Sequence, residues 1–138
     1  MTRLIFKELD KKNEIDELTD FVSNFDLGEN IDYGCCFLSC KDNDKIVAIT
    51  GWNEDTKFNT DRKIALFEHI ILDPKYHRKG WLLSKMMRES EKLMRKHGFI
   101  QYVSHILNTK KWMQQYAIRW GIKPYKKTEE GIWFYKNL

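Results

Sequence analysis

Apolar residues recur with two different periods along this chain, and the period separates helices from strands. Between residues 13 and 25 they recur every three or four positions, which is typical of a helix that packs one face on a core. Short apolar runs bounded by polar or glycine-containing turns indicate strands. The predicted elements are a strand at 4–6, a helix at 13–25, a loop or short helix at 27–33, strands at 36–40, 46–52 and 64–72, a helix at 80–97, a strand at 100–107, a helix at 110–120, and strands at 122–126 and 132–135.

The segment 80–97 has the clearest helical period. Its apolar positions share one face, and Arg88, Glu91 and Lys92 fall mostly off that face. Gly98 comes next, and a glycine directly after a helix readily adopts the left-handed conformation that ends it. The predicted buried face consists of Leu82, Leu83, Met86, Met87, Leu93, Met94 and His97.

A β-α-β unit is predicted from the strand at 64–72, the helix at 80–97 and the strand at 100–107. Two strands joined by a crossover helix are expected to be parallel, with a right-handed connection. The other strands are joined mainly by short turns, which favour antiparallel hairpins. The sequence therefore predicts an α/β domain with a mixed sheet. Because it contains no linker or repeat, we expect one domain over residues 1–138.

Charge is distributed unevenly along the 138 residues, whose net charge is +4. Residues 1–74 carry 9 Lys or Arg against 16 Asp or Glu, whereas residues 75–127 carry 14 against 2. A basic region of this kind fits a phosphate-rich cofactor or nucleic acid. Solvated helix faces would give the same composition and remain the alternative.

The three cysteines indicate neither a disulfide framework nor a metal site. Cys35, Cys36 and Cys40 are odd in number, and their spacing matches no zinc motif. We expect small, buried side chains in a reducing compartment.

The sequence has no apolar run of membrane-spanning length, and its first ten residues lack the apolar stretch of a signal peptide. These features predict a cytoplasmic protein that does not interact with a membrane.

A basic turn joins the strand at 64–72 to the helix that follows. Pro74 breaks the strand, and Gly80 allows the backbone to approach a ligand closely. Positive charge comes from His77, Arg78 and Lys79. A helix start also presents unpaired amides and the positive end of the helix dipole. The pattern indicates a cradle for a diphosphate, with an ordinary helix start after a proline turn as the alternative.

This stretch resembles the cofactor-binding motif of the GNAT superfamily, E-x-x-x-V-x-P-x-[YF]-[RQ]-x-K-G-x-[GA]. The resemblance extends to Asn108 after the next strand and to Trp120-Gly121-Ile122, where the family usually has L-G-F. It implies a GNAT-like α/β fold, with a central, twisted, mixed sheet of six to seven strands and helices on both faces. The residues in register with the motif are Glu68, Leu72, Pro74, Tyr76, Lys79 and Gly80.

By this resemblance the chain is an N-acetyltransferase with acetyl-CoA as its cosubstrate. In the family, the pantetheine arm pairs with the strand that is here 64–72, and the diphosphate rests on the start of the next helix. The acceptor amine attacks the thioester directly, so the enzyme needs no nucleophile and no metal ion. The cofactor-binding residues that the resemblance implies are Ile70, Ile71, Leu72, His77, Arg78, Lys79, Gly80, Trp81, Leu82 and Asn108.

Two residues are candidates for the acid–base chemistry. Glu68 is the candidate base for the amine, directly or through a water, with a salt bridge at a sheet edge as the alternative. Tyr116 is the candidate acid that protonates the CoA thiolate, with Tyr102 and Tyr125 as alternatives. His69 points to the opposite strand face by alternation and is expected to be a packed core residue.

Three positions depart from the family pattern. His77 stands at the Arg/Gln position, Leu82 at the second small-residue position, and Ala117 where the family often has a tyrosine acid. We expect the bulky Leu82 to crowd the pyrophosphate. These departures support a second interpretation, a catalytically inactive GNAT-like domain with a binding or structural role, as in divergent viral members.

The acceptor is expected to be a primary amine of unknown identity. Asp26, Glu29 and Asp32 would form an acidic rim that attracts a cationic amine, although a solvated loop also explains them. A nucleic-acid-binding module is the third interpretation. It is less well supported, because the aromatic residues are not interleaved with Lys or Arg along one strand. Aromatic candidates for an acceptor pocket are Trp52, Phe58, Trp112 and Trp133, although core packing is the favoured explanation for most of them.

Overall fold

The computed structural model of the chain describes residues 3–25, 30–58, 63–77 and 80–138. Over these residues the strands are β1 (Leu4–Glu8), β2 (Cys36–Asp42), β3 (Lys45–Asn53), β4 (Ile64–Leu72), β5 (Gln101–Leu107), β6 (Lys123–Lys127) and β7 (Gly131–Asn137). The helices are α1 (Lys11–Phe25), α2 (Gly80–Lys96) and α3 (Lys111–Arg119), and Pro74–Tyr76 form a 3-10 turn. β4 has the predicted bounds, and the other helices and strands agree with the prediction to within a few residues. Of the predicted loop or short helix at 27–33, residues 27–29 lie outside the described residues, and residues 30–33 form no helix.

The seven strands form one mixed sheet in the order β1-β2-β3-β4-β5-β7-β6. β4 and β5 are parallel, with Ile64–Leu66 paired to Gln101–Val103. The pairs β1–β2, β2–β3, β5–β7 and β6–β7 are antiparallel. The parallel pair confirms the predicted β-α-β unit, and the seven-stranded mixed sheet confirms the predicted fold class. The hand of the crossover stays a prediction.

Two compact units make up the chain, and they are described separately. The first comprises residues 1–52 and 69–93, and the second comprises residues 53–68 and 94–138. In the first unit, α1 buries its apolar face in a core cluster that also includes residues of β2 and β3. Members of this cluster include Leu18, Phe21, Val22, Cys35, Phe37 and Ile49.

The cysteines behave as buried apolar side chains. Cys35 and Cys40 are fully buried, Cys36 is partly buried, and all three are free thiols. Burial raises the pKa of Cys40 to about 12, with the nearby Asp42 carboxylate as a smaller cause. A thiol with so high a pKa is a poor nucleophile near neutral pH, so Cys40 has a packing role.

Local polar contacts set the ends of the first elements. The Asp10 carboxylate accepts the Lys12 amide at 3.0 Å and the Asn13 side chain at 2.7 Å, which makes Asp10 the residue that caps α1. The β2–β3 hairpin turns at Asn43 and Asp44, whose φ angles are 51° and 68°. Asparagine and aspartate tolerate the left-handed conformation that two-residue hairpin turns need.

α2 buries more of its surface than its apolar period predicts. Ser90 is fully buried, where its hydroxyl lies 2.6 Å from the Thr50 hydroxyl and donates to the Met86 carbonyl at 2.6 Å. Glu91 is also buried, which corrects its placement off the packed face. Gly98 has a φ of 91°, as expected for a glycine that ends a helix.

In the second unit, β7 lies between β5 and β6 and is paired along its whole length to β5. Phe134 and Tyr102 are buried in its interior. α3 is joined to β5 through Gln114, whose buried amide donates to the carbonyls of Ile106 at 3.0 Å and Leu107 at 3.3 Å. Because these carbonyls belong to β5, Gln114 fixes the helix to the sheet.

Candidate active site

The exposed face of β4 carries the predicted base and part of the predicted cofactor site. Every odd-numbered side chain from Ala65 to Ile71 is buried, whereas the even-numbered ones are partly exposed or, at Glu68, exposed. Such alternation is expected for a strand with one face on a core. Glu68, Ile70 and Leu72 therefore share the accessible face, whereas the Ile71 side chain packs inside.

Backbone groups at the end of β4 have different partners. The Asp73 amide donates to the Val47 carbonyl of β3 at 2.8 Å. Since successive strand residues direct their backbone groups to opposite sides, those of Leu72 and Ile70 point away from β3. The Leu72 carbonyl lies 2.9 Å from Nε2 of His77, so Nε2 carries the proton and donates it. His77 thus fastens the turn to the end of the strand.

The 3-10 turn is anchored before α2 begins. The Asp73 carboxylate accepts the Lys75 amide at 3.0 Å, and the Asp73 carbonyl accepts the Tyr76 amide at 2.8 Å. The Tyr76 hydroxyl donates a short hydrogen bond to the Asp42 carboxylate. That bond raises the pKa of Tyr76 to about 12, with desolvation as a smaller cause.

α2 starts with an accessible first turn. Apart from its chain neighbours and its own helix, no heavy atom of the described residues lies within 4 Å of the position that a Cβ atom on Gly80 would take, and Trp81 is 54% exposed. The first amides of a helix have no carbonyl four residues earlier to bond, and the dipole adds positive potential there. α2 has no acidic residue in its first turn. Arg78 and Lys79, two of the predicted cofactor-binding residues, lie outside the described residues.

Leu82 belongs to the packed face of α2. It is 0% exposed, as are Met86, Ser90 and Met94, which follow at intervals of four residues. Residues at this spacing share one helix face, so the Leu82 side chain is part of a buried stripe. This burial argues against the expected crowding of the helix start, and only the backbone of Leu82 belongs to the accessible turn.

The two titratable residues at the middle of β4 differ in their surroundings. Glu68 is exposed and lies on a strand between β3 and β5, so it is not on an edge strand, and the alternative of a salt bridge stays a prediction. His69 is buried, as predicted: its Nε2 accepts the Asp32 amide at 3.1 Å. Its ring also stacks on Phe37, with centroids 6.4 Å apart.

Asn108 and Tyr116 lie in the second unit. The Asn108 side chain donates to the Glu129 carbonyl at 3.2 Å and accepts from Gln114 at 3.1 Å. Tyr116 is partly buried and stacks on Trp120, with centroids 6.3 Å apart and planes at 9°. Asn108 therefore has a structural role within this unit, joining β5, α3 and the β6–β7 hairpin.

The predicted acceptor-side residues differ in burial where the structure describes them. Asp26 and Glu29 lie outside the described residues, and Asp32 is exposed. Trp52 is fully buried, which makes it a core residue, whereas Trp112 is 56% exposed on α3. Phe58 and Trp133 pack against each other in the second unit, with ring centroids 5.4 Å apart.

Comparison with known proteins identifies the family. The model of the GNAT acetyltransferase family matches residues 3–121. The chain belongs to the GNAT acetyltransferase family. A search of curated proteins finds no significant match.

Solved GNAT structures share the fold over almost the whole chain. The PaiA N-acetyltransferase of Thermoplasma acidophilum, solved in complex with coenzyme A, has a TM-score of 0.73 and 11% identity, with 99% of each chain covered. The ribosomal-protein-S18-alanine N-acetyltransferase of Escherichia coli has a TM-score of 0.76 and 11% identity, covering 98% of this chain and 94% of the other. A probable acetyltransferase of Staphylococcus epidermidis has a TM-score of 0.77 and 8% identity, covering 98% and 99%. At these identities the likeness extends to the fold alone.

In this GNAT fold, the structure shows two contacts near the candidate site that the sequence did not predict. His77 was predicted as a cofactor-binding residue at the Arg/Gln position, and in the structure its imidazole bonds to the Leu72 carbonyl. The other contact is the bond between Tyr76 and Asp42, which are 34 residues apart. The motif includes Tyr76, but its partner Asp42 is brought close only by the order of the strands.

Within the described residues, no helix is long and apolar enough to cross a membrane.

Proposed function

We propose that this GNAT chain is an acetyl-CoA-dependent N-acetyltransferase that acetylates a primary amine by direct attack. The observation that carries the proposal is the first turn of α2. It is accessible beside Gly80, free of acidic residues, and not blocked by an exposed Leu82 side chain. A diphosphate suits such a turn. We also propose that the whole chain acts as one domain, because the family match runs through both compact units.

The residues present fit an acyl-CoA. The backbone groups of Ile70 and the amide of Leu72 point away from β3, so they are the candidates to pair with the pantetheine arm, whereas the Leu72 carbonyl is bonded to His77. Ile71 fits this role less well, because its backbone shares the direction of Asp73. The first-turn amides, Gly80 to Leu82, would hold the diphosphate, with charge from Arg78 and Lys79. His77 fixes the turn through its bond to Leu72, and we assign Asn108 a supporting role.

Acid–base chemistry falls to side chains of this chain. Acetyl-CoA supplies an acetyl thioester, and the acceptor supplies an amine that must lose a proton as its N–C bond forms. Glu68 is the proposed base, since it is exposed on the accessible face of β4 and can take up that proton directly or through a water. Tyr116 is the proposed acid, which would deliver a proton to the departing thiolate. We propose a cationic acceptor, because Asp32 is exposed on the acidic part of the chain.

Calorimetric titration with acetyl-CoA and CoA tests the binding site. We expect saturable binding by the wild type, and a loss of at least about 30-fold, or 2 kcal/mol, in Gly80→Glu, because a carboxylate would stand beside the diphosphate. Gly80→Glu should fold normally, since the site is open and acidic residues favour a helix start. Gln115→Glu, which adds the same charge at an exposed position of α3, is the matched control. Equal affinity in all three proteins would refute the site.

Release of free thiol tests the chemistry. Across a panel of diamines, amino sugars and lysine peptides, we expect Glu68→Gln to lower the rate for the best acceptor about 100-fold while CoA affinity is unchanged. Tyr116→Phe should lower it less, because solvent can protonate a thiolate. Binding of CoA without turnover of any amine would favour the inactive, binding interpretation. An undiminished rate in Glu68→Gln would remove Glu68 from the mechanism.

A further inference from the structure

The second unit carries a row of aromatic rings on one face of its sheet. His105 of β5 pairs with Trp133 of β7, and their rings stack with centroids 4.8 Å apart. Tyr135 follows Trp133 by two residues on β7, so it lies on the same face. Tyr125, at the irregularity in β6, meets Tyr135 edge-on at 5.8 Å. The four rings therefore lie on one face of the sheet, which we call the aromatic face, and Phe58 also packs against the Trp133 ring.

Lysines flank this surface along the edge strand. Lys126 pairs with Trp133, and Lys123 pairs with Tyr135. Residues directly opposite each other in an antiparallel pair share a face, so these lysines lie beside the rings. Both are exposed, as are all five residues of β6. The nearest acids along the hairpin, Glu129 and Glu130, lie in its turn, beyond the end of β6.

Strand pairing thus creates an interleaving that the linear sequence does not show. Within β6 or β7 alone, rings and lysines do not alternate regularly. Across the pair, each half-buried ring of β7 has a lysine of β6 directly beside it. Cationic side chains beside accessible rings are what proteins use to hold a single strand, because lysines neutralise phosphates and rings stack on bases.

Protection of the sheet edge explains only part of this arrangement. β6 is the last strand of the sheet, and lysines on an edge strand discourage pairing with another molecule. That role does not require an aromatic ring, yet Tyr125 keeps 49% of its surface exposed on this strand. Tyrosine at such a position offers an open π-face to a base.

We propose that the aromatic face, with Lys123 and Lys126, binds single-stranded nucleic acid. The site shares no residue with the first turn of α2 and does not depend on the proposed acetyltransferase activity. Bases would stack on Tyr125 and the rings beside it, and the two lysines would contact phosphates. Single strands are favoured over duplexes, because stacking needs unpaired, accessible bases.

Fluorescence anisotropy with labelled 20-nucleotide single strands of DNA and RNA tests the proposal. We expect saturable binding that weakens as salt rises, and at least tenfold weaker binding to a duplex of the same length. Lys123→Ala/Lys126→Ala should reduce the slope of log affinity against log salt by about 1.4, which is about 0.7 for each phosphate contact. Tyr125→Leu should weaken binding roughly five- to 100-fold without changing that slope.

Matched variants elsewhere in the unit provide the controls. Lys96→Ala/Lys111→Ala removes the same charge from exposed positions, and Trp112→Leu removes an exposed ring from α3. Both should bind as the wild type does, and all variants should keep the wild-type melting temperature. If Tyr125→Leu loses stability, Tyr125→Phe should fold and bind normally, since it keeps the π-face.

Three results would overturn the proposal. One is the absence of saturable binding to either single strand at low salt. Another is equal binding to single strand, duplex and polyglutamate, which would mean charge attraction alone. The third is wild-type affinity in a folded Tyr125→Leu protein. We expect the CoA affinity of these variants to equal that of the wild type, whether or not they bind nucleic acid. CoA titration therefore tests the start of α2 independently of the aromatic face.

Discussion

The starts of α2 and α3 have the same helix dipole but very different surroundings. α2 begins at Gly80 with open space, after a turn held by His77 and Tyr76. α3 begins next to Lys110, whose amide bonds to the Leu107 carbonyl at 2.9 Å, and Gln114 in its first turns is bonded to β5. Lys111 and Trp112 at the start of α3 are exposed as well, so the two helix starts differ in their anchoring: Gln114 bonds the start of α3 to β5. A helix dipole favours anions only where the leading turn leaves them room.

Leu82→Ala should give the largest change in stability. Removing a fully buried leucine leaves a cavity, so we expect the free energy of unfolding to fall by about 2–5 kcal/mol. CoA affinity of the folded protein should change less than about threefold, because the side chain faces the core. Urea denaturation and calorimetry measure the two effects. Ile118→Ala, at a 57% exposed position of α3, should cost less than about 0.5 kcal/mol. A marked gain in CoA affinity would show that Leu82 does obstruct the site.

Gln114→Ala tests the structural role of the α3 start. Its amide serves the carbonyls of Ile106 and Leu107 and the Asn108 side chain. Because buried groups would lose their partner, we expect a loss of about 1–3 kcal/mol in the free energy of unfolding. Gln115→Ala, at the exposed neighbouring position, should have almost no effect. Similar stabilities for the two variants would mean that α3 is not held in this way.

Tyr76→Phe should have the smallest effect and a distinctive pH dependence. Loss of the hydroxyl that donates to Asp42 should cost about 1 kcal/mol near neutral pH. Since the pKa of Tyr76 is raised from 10.0 to about 12 in the fold, this contribution is complete below pH 10 and is lost between pH 10 and 12. Denaturation of both proteins from pH 7 to pH 11 measures the difference. A difference that grows with pH would contradict the assignment.

Most helices and strands could be predicted from the sequence, because the spacing of apolar residues that marks each of them is visible within a short segment of the chain. The odd–even alternation of β4 and the period of α2 each follow from which face packs on a core. The burial of Glu91 and Ser90 was not predictable in this way, because their environment depends on which strand lies opposite. Thr50, the partner of Ser90, is 40 residues away.

For the candidate site, the sequence predicted the position of the helix start but not the directions of its side chains. The motif places Gly80 at the helix start, and the structure agrees. The expected crowding by Leu82 came from comparing residue sizes at one position, whereas side-chain direction is set by the i, i+4 stripe from Leu82 to Met94. The aromatic face could not be seen in the sequence, because it depends on the register between β6 and β7.

An NMR titration with CoA tests the central claim most directly, by following assigned backbone amides at both helix starts. We expect saturable shifts at Gly80, Trp81 and Leu82, with a single dissociation constant that agrees with calorimetry. Amides at the start of α3, from Lys111 to Met113, should shift much less. The absence of saturable shifts in the first turn of α2, or larger shifts at α3, would contradict the assignment of the phosphate-binding turn.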